Sequence, residues 1–450
     1  MSRPKKKSKQ QSDDTYRLAY RYRAYPTDLQ EYQMENWFFV LHGLYNGAVL
    51  ERKESYKTTG KGVTYSAQQD ALPDLKKADP ALRLIHSQVL QNCLQRVDKA
   101  YQKFFDDIKR KKAGEKVRIG YPRMKKLEKY SSFTFPQVWV SSKDGRITEA
   151  VKLRCDADSR FARLILPGIG ALKIRLHRNV PWKDAKTVTI KRTSSGAWYA
   201  SIAVEQPLEP KLTSKGKQTG IDLGLIHEVA TSDENYRDYP KYLKKSEAKL
   251  KKTQRALSKK QKGSANKEKA RLKLAQAHDH VANQRKDFLH KLSLWLVLNY
   301  AFIAFENLNI TGMVKNHHLA KAILDAGWGN LVRYTSYKSV MLRGNSVVRV
   351  NPAYTTQDCS VCGFRVPKTL AERLHVCPNC GAIMDRDHNA ANMVEFRAFG
   401  TNTVGAGTAP NRGRRDPNAC GDGTATAPAS AVSPVVDAEA PTESASVSRG

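Results

Sequence analysis

The sequence predicts a multidomain α+β protein, and three observations carry that reading. The chain has 450 residues; its apolar patterning switches from helical to alternating to mixed; and two C-x-x-C pairs run directly into an acidic helix start. A chain of this length is expected to form two to four domains, each with room for a core. Lys plus Arg number 77 against 43 Asp plus Glu, a formal net charge of +34. Such an excess repels itself unless a polyanion shares its field, and nucleic acid is the expected polyanion.

Residues 1–15 begin Met1-Ser2-Arg3-Pro4-Lys5-Lys6-Lys7 and read as a disordered basic arm without the apolar core of a secretory signal, so a reducing cytoplasm is expected. Residues 16–26 read as a first strand, with Tyr16, Leu18, Tyr20, Tyr22 and Ala24 on one face and arginines on the other, ending at Pro26. Residues 27–130 read as helical: apolar residues recur every three or four positions from Asp28 to about Ser55 and from Ala81 to about Lys112. Residues 131–210 carry short alternating runs separated by Gly, Pro, Asp and Ser, the pattern of a small antiparallel barrel that the first strand is expected to close.

After a hinge-like stretch at 205–218, residues 215–358 read as a second α+β domain. It opens with the strand Thr219-Gly220-Ile221-Asp222-Leu223-Gly224, and two further short strands make a meander. A Lys-rich helical hairpin is expected over 241–298, broken at Gly263-Ser264, with its basic face toward nucleic acid. The strand YAFIAFENL, one helix from His318 to Arg343 and the strand SVVRV complete the domain. Residues 385–400 read as a last helix. Residues 401–450, mostly Ala, Thr, Pro, Ser and Gly, read as a disordered tail. The longest apolar stretch, 292–305, is interrupted by Ser293, Asn299 and Tyr300 and is too short for a bilayer, so no membrane association is expected.

Residues 359–384 hold Cys359-x-x-Cys362 and Cys377-x-x-Cys380, the spacing of a ribbon in which four thiolates close a tetrahedron on one structural Zn²⁺. Cys93 and Cys155 are expected to be buried and inert, and Cys420 falls in the tail. A closed four-thiolate site leaves the chemistry elsewhere. Asp222 lies in an apolar strand, Glu306 ends another, and Asp387 opens the last helix. A carboxylate at the end of an apolar strand is costly to bury without a compensating cation or donor. Three converging carboxylates are what a metal-dependent nuclease of the RNase H type needs to hold two Mg²⁺ ions, one activating water and the other stabilising the leaving oxygen. On spacing alone, Asp385 competes with Asp387 for the third position. His317 and His318 read as solvated residues at a helix start rather than as ligands.

The strings GIDLGLIHEVATSD, KKQKGSANKEKARLKLA, VANQRKDFLHKLS, FENLNITGM, DAGWGNL, YTTQDCSVCG and CPNCGAIMDRDHNAANM resemble, in order and spacing, the TnpB (OrfB) family of bacterial insertion sequences, relatives of the type V CRISPR effector nucleases. The resemblance spans about residues 16–400 and is most specific from 219 onward. It implies an RNase H-like RuvC nuclease domain with an inserted zinc ribbon, preceded by a small wedge β-barrel (16–26 and 131–210) with an inserted helical recognition domain (27–130). The family's catalytic aspartate, glutamate and aspartate fall on Asp222, Glu306 and Asp387, which decides for Asp387 over Asp385. The activity implied is RNA-guided DNA cleavage. A guide RNA from the transposon end would pair with target double-stranded DNA beside a short flanking motif, and the protein would act at the nucleoid, with a monomer favoured. The backbone of a guide heteroduplex suits the charge of this chain. Within the same lineage a compact type V CRISPR effector is the alternative, distinguished by a neighbouring repeat array. A guide-dependent DNA-binding repressor would lack the triad, all of which stands here, and a DNA-joining transposase fits less well with a ribbon lying between Glu306 and Asp387. Bases in guide loops are expected to stack on aromatics such as Tyr20, Tyr22 or Trp139.

Overall fold

A computed structural model describes residues 15–141, 144–155, 160–369 and 371–400. The expected basic arm up to residue 14, the tail 401–450 and Cys420 lie outside them. The described residues form two compact units, one ending at Pro207 and the other beginning at Leu208.

In the first unit the order is β1 (Thr15–Tyr25), α1 (Asp28–Thr59), α2 (Tyr65–Asp70), α3 (Leu72–Ala78), α4 (Pro80–Arg83), α5 (Ser87–Lys112), β2 (Ser132–Phe135), β3 (Trp139–Ser141), β4 (Ile147–Glu149), β5 (Lys152–Cys155), β6 (Phe161–Leu166), β7 (Gly170–Arg175), β8 (Ala185–Arg192) and β9 (Trp198–Pro207). Seven of these strands make one antiparallel sheet in the order β2-β8-β9-β1-β7-β6-β5. The first strand therefore lies in the middle of the sheet, paired with β9 along ten positions and with β7 at its end. The helices are inserted between β1 and β2. A capping box sets the start of α1, where Thr27 and Gln30 each bond the other's backbone N–H. Met34, Trp37, Phe38, Leu41, Tyr45, Ala48 and Val49 form its buried stripe. Phe38 stacks on Trp198 of the sheet at 5.6 Å, and the Trp198 indole N–H donates to Glu31 at 3.1 Å.

Three expectations drawn from the sequence do not hold in this unit. Tyr22 is fully buried, and its hydroxyl donates to the Arg178 carbonyl at 3.1 Å; it is a core residue and cannot receive a base. Cys155 is exposed while Cys93 is buried, because Cys155 ends a strand at the sheet edge. Burial pushes the Cys93 thiol up to about 11. The helical stretch expected from Ala81 also divides, with α4 ending at Arg83 and α5 starting at Ser87.

The second unit contains β10 (Gln218–Asp222), β11 (His227–Thr231), β12 (Tyr236–Asp238), α6 (Tyr242–Ser258), α7 (Ala265–Asn299), β13 (Phe302–Glu306), α8 (Ile310–Met313), α9 (His317–Ala326), α10 (Trp328–Arg343), β14 (Val348–Val350), β15 (Leu374–Val376), β16 (Ile383–Asp385) and α11 (Arg386–Phe399). Its five-stranded sheet has the order β12-β11-β10-β13-β14. The first three strands form an antiparallel meander, and β10, β13 and β14 run parallel. The hairpin α6–α7 zips through Leu250, Ala277 and Val281, which leaves Lys251, Lys252, Lys259 and Lys260 exposed. The single helix expected over 318–343 is two, α9 and α10, broken at Gly327 with φ 79°. Arg285 of α7 crowds that point, its Cδ 3.4 Å from where a Cβ would stand. His317 and His318 are exposed, as expected of solvated residues. No helix among the described residues is long and apolar enough to cross a membrane.

Candidate functional site

Asp222 and Glu306 end two neighbouring parallel strands. The register runs from Gln218 beside Phe302 to Ile221 beside Phe305, so one further step sets Asp222 level with Glu306 on the same face, with strands about 4.8 Å apart. Asp387 arrives from the first turn of α11. What lets that helix approach is Gly220: a Cβ there would stand 2.1 Å from the Ala391 carbonyl oxygen and 2.3 Å from the Glu395 nitrogen. Ala390 and Ala391, both fully buried, keep the facing side of the helix flat.

The three carboxylates are 9%, 8% and 7% exposed for Asp222, Glu306 and Asp387. Burial, and then repulsion from Glu306 and Asp387, raises Asp222 well above the ordinary carboxylate range. Burial also raises Glu306, against a hydrogen bond from the Thr355 hydroxyl and the charge of Arg397. The Arg386 guanidinium lies 3.1 Å from Asp387, and that of Arg373 4.0 Å. A cluster of carboxylates that repel one another is a donor set for hard divalent cations. Among the described residues only the cysteines form a set of three or more potential ligands all within 4.8 Å of one another.

The two aspartates left competing by their spacing have different surroundings. Asp385 is exposed and caps α11, its Oδ1 accepting from the backbone N–H of Asp387 at 2.8 Å and of His388 at 3.2 Å. Asp387 is buried beside Asp222. The other polar side chains of this helix start fix its position. His388 Nε2 meets the Ser232 carbonyl at 3.0 Å and its Nδ1 meets Glu234 at 3.1 Å, tying α11 to the β11–β12 turn. Asn389 accepts from the Ser360 N–H and donates to the Asp358 carbonyl, both at 2.9 Å, tying α11 to the cysteine knuckle.

That knuckle is built twice on one plan. The N–H of Gly363 bonds the Cys359 carbonyl at 2.8 Å while the N–H of Cys359 bonds Phe364; Gly381, Cys377 and Ala382 repeat the pattern. Both glycines sit at positive φ, 75° and 74°, where a side chain would be strained. The sulfurs of Cys359 and Cys380 are 3.7 Å apart and those of Cys362 and Cys377 3.5 Å. Four thiolates each about 2.3 Å from one Zn²⁺ stand about 3.8 Å apart, whereas a disulfide bond is about 2.05 Å. The set fits zinc, and no cysteine among the described residues is in a disulfide.

Reasoning from the sequence did not identify Thr355, Arg386, His388, Asn389 or Arg397. The small residue inside an apolar strand, Gly220, was the available signal for close packing. Arg397 left none, since it reaches back across 46 residues to the carbonyl of Asn351 at 2.9 Å and from there to Asp358.

Comparisons with known proteins follow this geometry. A family model described as "Probable transposase" (OrfB_IS605) matches residues 201–317, and one described as "Cas12f1-like, TNB domain" matches 328–394. A third, a helix-turn-helix domain, matches 16–61, although that segment here is one strand and one long helix. The chain is 31% identical over 398 residues to a Streptomyces pristinaespiralis protein described as "Putative RNA-guided DNA endonuclease", covering 88% of this chain and 92% of that one. It is 29% identical over 394 residues to InsQ of Escherichia coli K12, which carries the same description, covering 84% and 91%. Among solved structures, Cas12f1 in complex with sgRNA and target DNA aligns with a TM-score of 0.52 at 15% identity, covering 82% of this chain and 83% of that one. That likeness is one of fold.

Proposed function

The chain belongs to the OrfB/TnpB family of IS605-type elements, and from that premise we propose that it is an RNA-guided DNA endonuclease with a single hydrolytic centre at Asp222, Glu306 and Asp387. The observation that carries this reading is the convergence of three buried carboxylates from strand, strand and helix at the carboxyl ends of β10 and β13. The meander followed by two parallel strands is the arrangement expected of an RNase H-like RuvC domain. Residues 16–26 and 131–210 are read as the wedge, and 27–130 as the recognition helices.

Two Mg²⁺ ions held by Asp222, Glu306 and Asp387 would supply an activated water and neutralise the leaving oxygen of a phosphodiester. The chain's own residues prepare that site. Thr355 orients Glu306 through its hydroxyl, Asp385 and His388 fix the helix start, and Arg386 lies against Asp387. Cys359, Cys362, Cys377 and Cys380 would hold one Zn²⁺ that anchors the ribbon from which α11 departs. Guide binding is assigned to basic surfaces. The outer face of the large sheet carries Arg21 stacked over Tyr199 at 3.7 Å and Lys173 over Phe161 at 4.3 Å, a mixture of charge and rings suited to RNA.

The test is cleavage of double-stranded DNA by protein purified with its RNA, the guide being read by sequencing that RNA. Asp222→Ala, Glu306→Ala and Asp387→Ala should each abolish cutting and leave guide-dependent DNA binding in place. Asp385→Ala, which removes only a cap, should retain cutting at a reduced rate. Full cleavage by Asp387→Ala would overturn the assignment.

A further inference from the structure

Tyr354 holds a conformation that its side chain makes costly. Its φ is 62°, a left-handed region where a bulky residue is an outlier and glycine or asparagine sits more easily. The backbone there does need that turn, because the Tyr354 carbonyl accepts from the N–H groups of Gln357 at 3.0 Å and Asp358 at 2.8 Å. A glycine would serve the turn better. The ring is not used to fill the core either, since Tyr354 is 52% exposed. Instead the Arg365 guanidinium lies 3.7 Å from the ring centroid and is fixed there by Asp358, which accepts from its Nε at 2.7 Å. The ring thus has a cationic backing held by an ion pair, while about half of the residue stays open to solvent.

Its position gives the ring a use. Thr355, the next residue, is the one whose hydroxyl bonds Glu306, so Tyr354 stands one residue, about 3.8 Å along the chain, from the group that orients a metal-binding carboxylate. The segment is braced from behind by Arg397, which donates to the carbonyls of Asn351 at 2.9 Å and Ala353 at 2.7 Å and to Asp358 at 3.0 Å. An exposed aromatic face backed by a guanidinium, in a chain of formal charge +34, has the chemistry of a nucleobase platform.

We propose that Tyr354, backed by Arg365, is a stacking site for one base of the DNA strand that enters the carboxylate centre, and that it sets the position of the scissile phosphate beside Glu306. This rests on the nuclease reading above. An unpaired base displayed on the ring fixes the sugar–phosphate backbone at its neighbour, which is how a sequence-tolerant contact can place a cut.

Four variants and two modified substrates test it. Tyr354→Gly and Tyr354→Ala should slow cutting on the order of tenfold to a hundredfold, the range one stacked base commands, without weakening guide-dependent DNA binding. Tyr354→Gly should unfold at no lower temperature than the wild type, and Tyr354→Phe and Tyr354→Trp should cut at near wild-type rate. An abasic nucleotide walked through the strand around the cut should slow the wild type at one position by the same factor, and slow Tyr354→Gly no further there. DNA carrying 5-iododeoxyuridine at that position should photocrosslink to Tyr354, a readout independent of cutting. Wild-type cleavage rates in Tyr354→Gly, failure of Phe and Trp to restore the rate, or additive losses from the abasic nucleotide and the Gly variant would each overturn the proposal. Crosslinking to Tyr354 in a protein that cuts no DNA would keep the platform and remove the nuclease reading instead.

Discussion

Replacing Gly220 by alanine tests the feature that places Asp387 against the strand of Asp222. The backbone of Gly220 is in an ordinary strand conformation, so alanine is disfavoured only by space. Its Cβ would lie 2.1 Å from the Ala391 oxygen, 2.3 Å from the Glu395 nitrogen and 3.0 Å from the Glu395 Cα. All three neighbours are main-chain atoms of α11, so no flexible side chain can swing away. To bring the shortest contact to the 3.0 Å floor of real Cβ contacts, strand and helix must part by about 0.9 Å. Overpacking of this kind costs about 1–3 kcal/mol. Because Asp387 rides on the first turn of α11, it moves away from Asp222 and Glu306 with the helix. A misplacement of about 1 Å can cost on the order of a hundredfold in rate. The assays are urea unfolding and single-turnover DNA cleavage by the guide-loaded protein. Gly43→Ala is the control: its Cβ would have nothing within 4 Å, it lies within α1, and there alanine should stabilise by about 0.5–1 kcal/mol. A Gly220→Ala protein with wild-type stability and rate would refute the claim that close backbone contact positions the third carboxylate.

Glu228 is fully buried in β11, neither of its carboxyl oxygens has a hydrogen-bond partner, and burial followed by repulsion from Asp325 pushes it up to about 9. A carboxyl raised in the folded state favours folding while protonated and loses that contribution as pH rises through its folded value. The melting temperature should therefore fall as pH rises from about 4.5 toward about 9 in the wild type, level off above that, and fall less in Glu228→Gln; parallel profiles for the two would contradict this. Zinc should be found at one ion per chain by metal analysis, and Cys377→Ser should lose both the metal and most cleavage, since the ribbon has little core of its own. An unchanged cleavage rate in that variant would show that the ribbon does not hold α11. Converting Lys251, Lys252, Lys259 and Lys260 together to Gln should weaken guide RNA binding and flatten its salt dependence, because fewer counterions are released. An identical slope and affinity in a filter-binding titration would make the hairpin a structural element.

The sequence by itself determined the elements whose signals are local. Paired C-x-x-C spacing, with glycine after each pair, specifies a knuckle because the turn and its thiolates lie within six residues. The 3.6-residue period of α1 and α5 and the alternation of β6 to β9 determined helix and strand for the same reason. Apolar runs ending in Asp222 and Glu306 marked carboxylates too costly to leave without a purpose. Only the tertiary structure decided what depends on contacts between distant segments. It put β1 in the middle of its sheet, buried Tyr22 that the alternation had offered to a base, and broke the helix at Gly327 where Arg285 and Leu289 of α7 stand close. It also gave Asp385 and Asp387 different surroundings: the two acids are equivalent by spacing and were told apart in the sequence only by the family resemblance, whereas the helix N-terminus takes Asp385 as its cap and buries Asp387 beside Asp222. Alternation fixes the two faces of a strand, and the neighbour that packs on each face is set by chain folded back from far along the sequence.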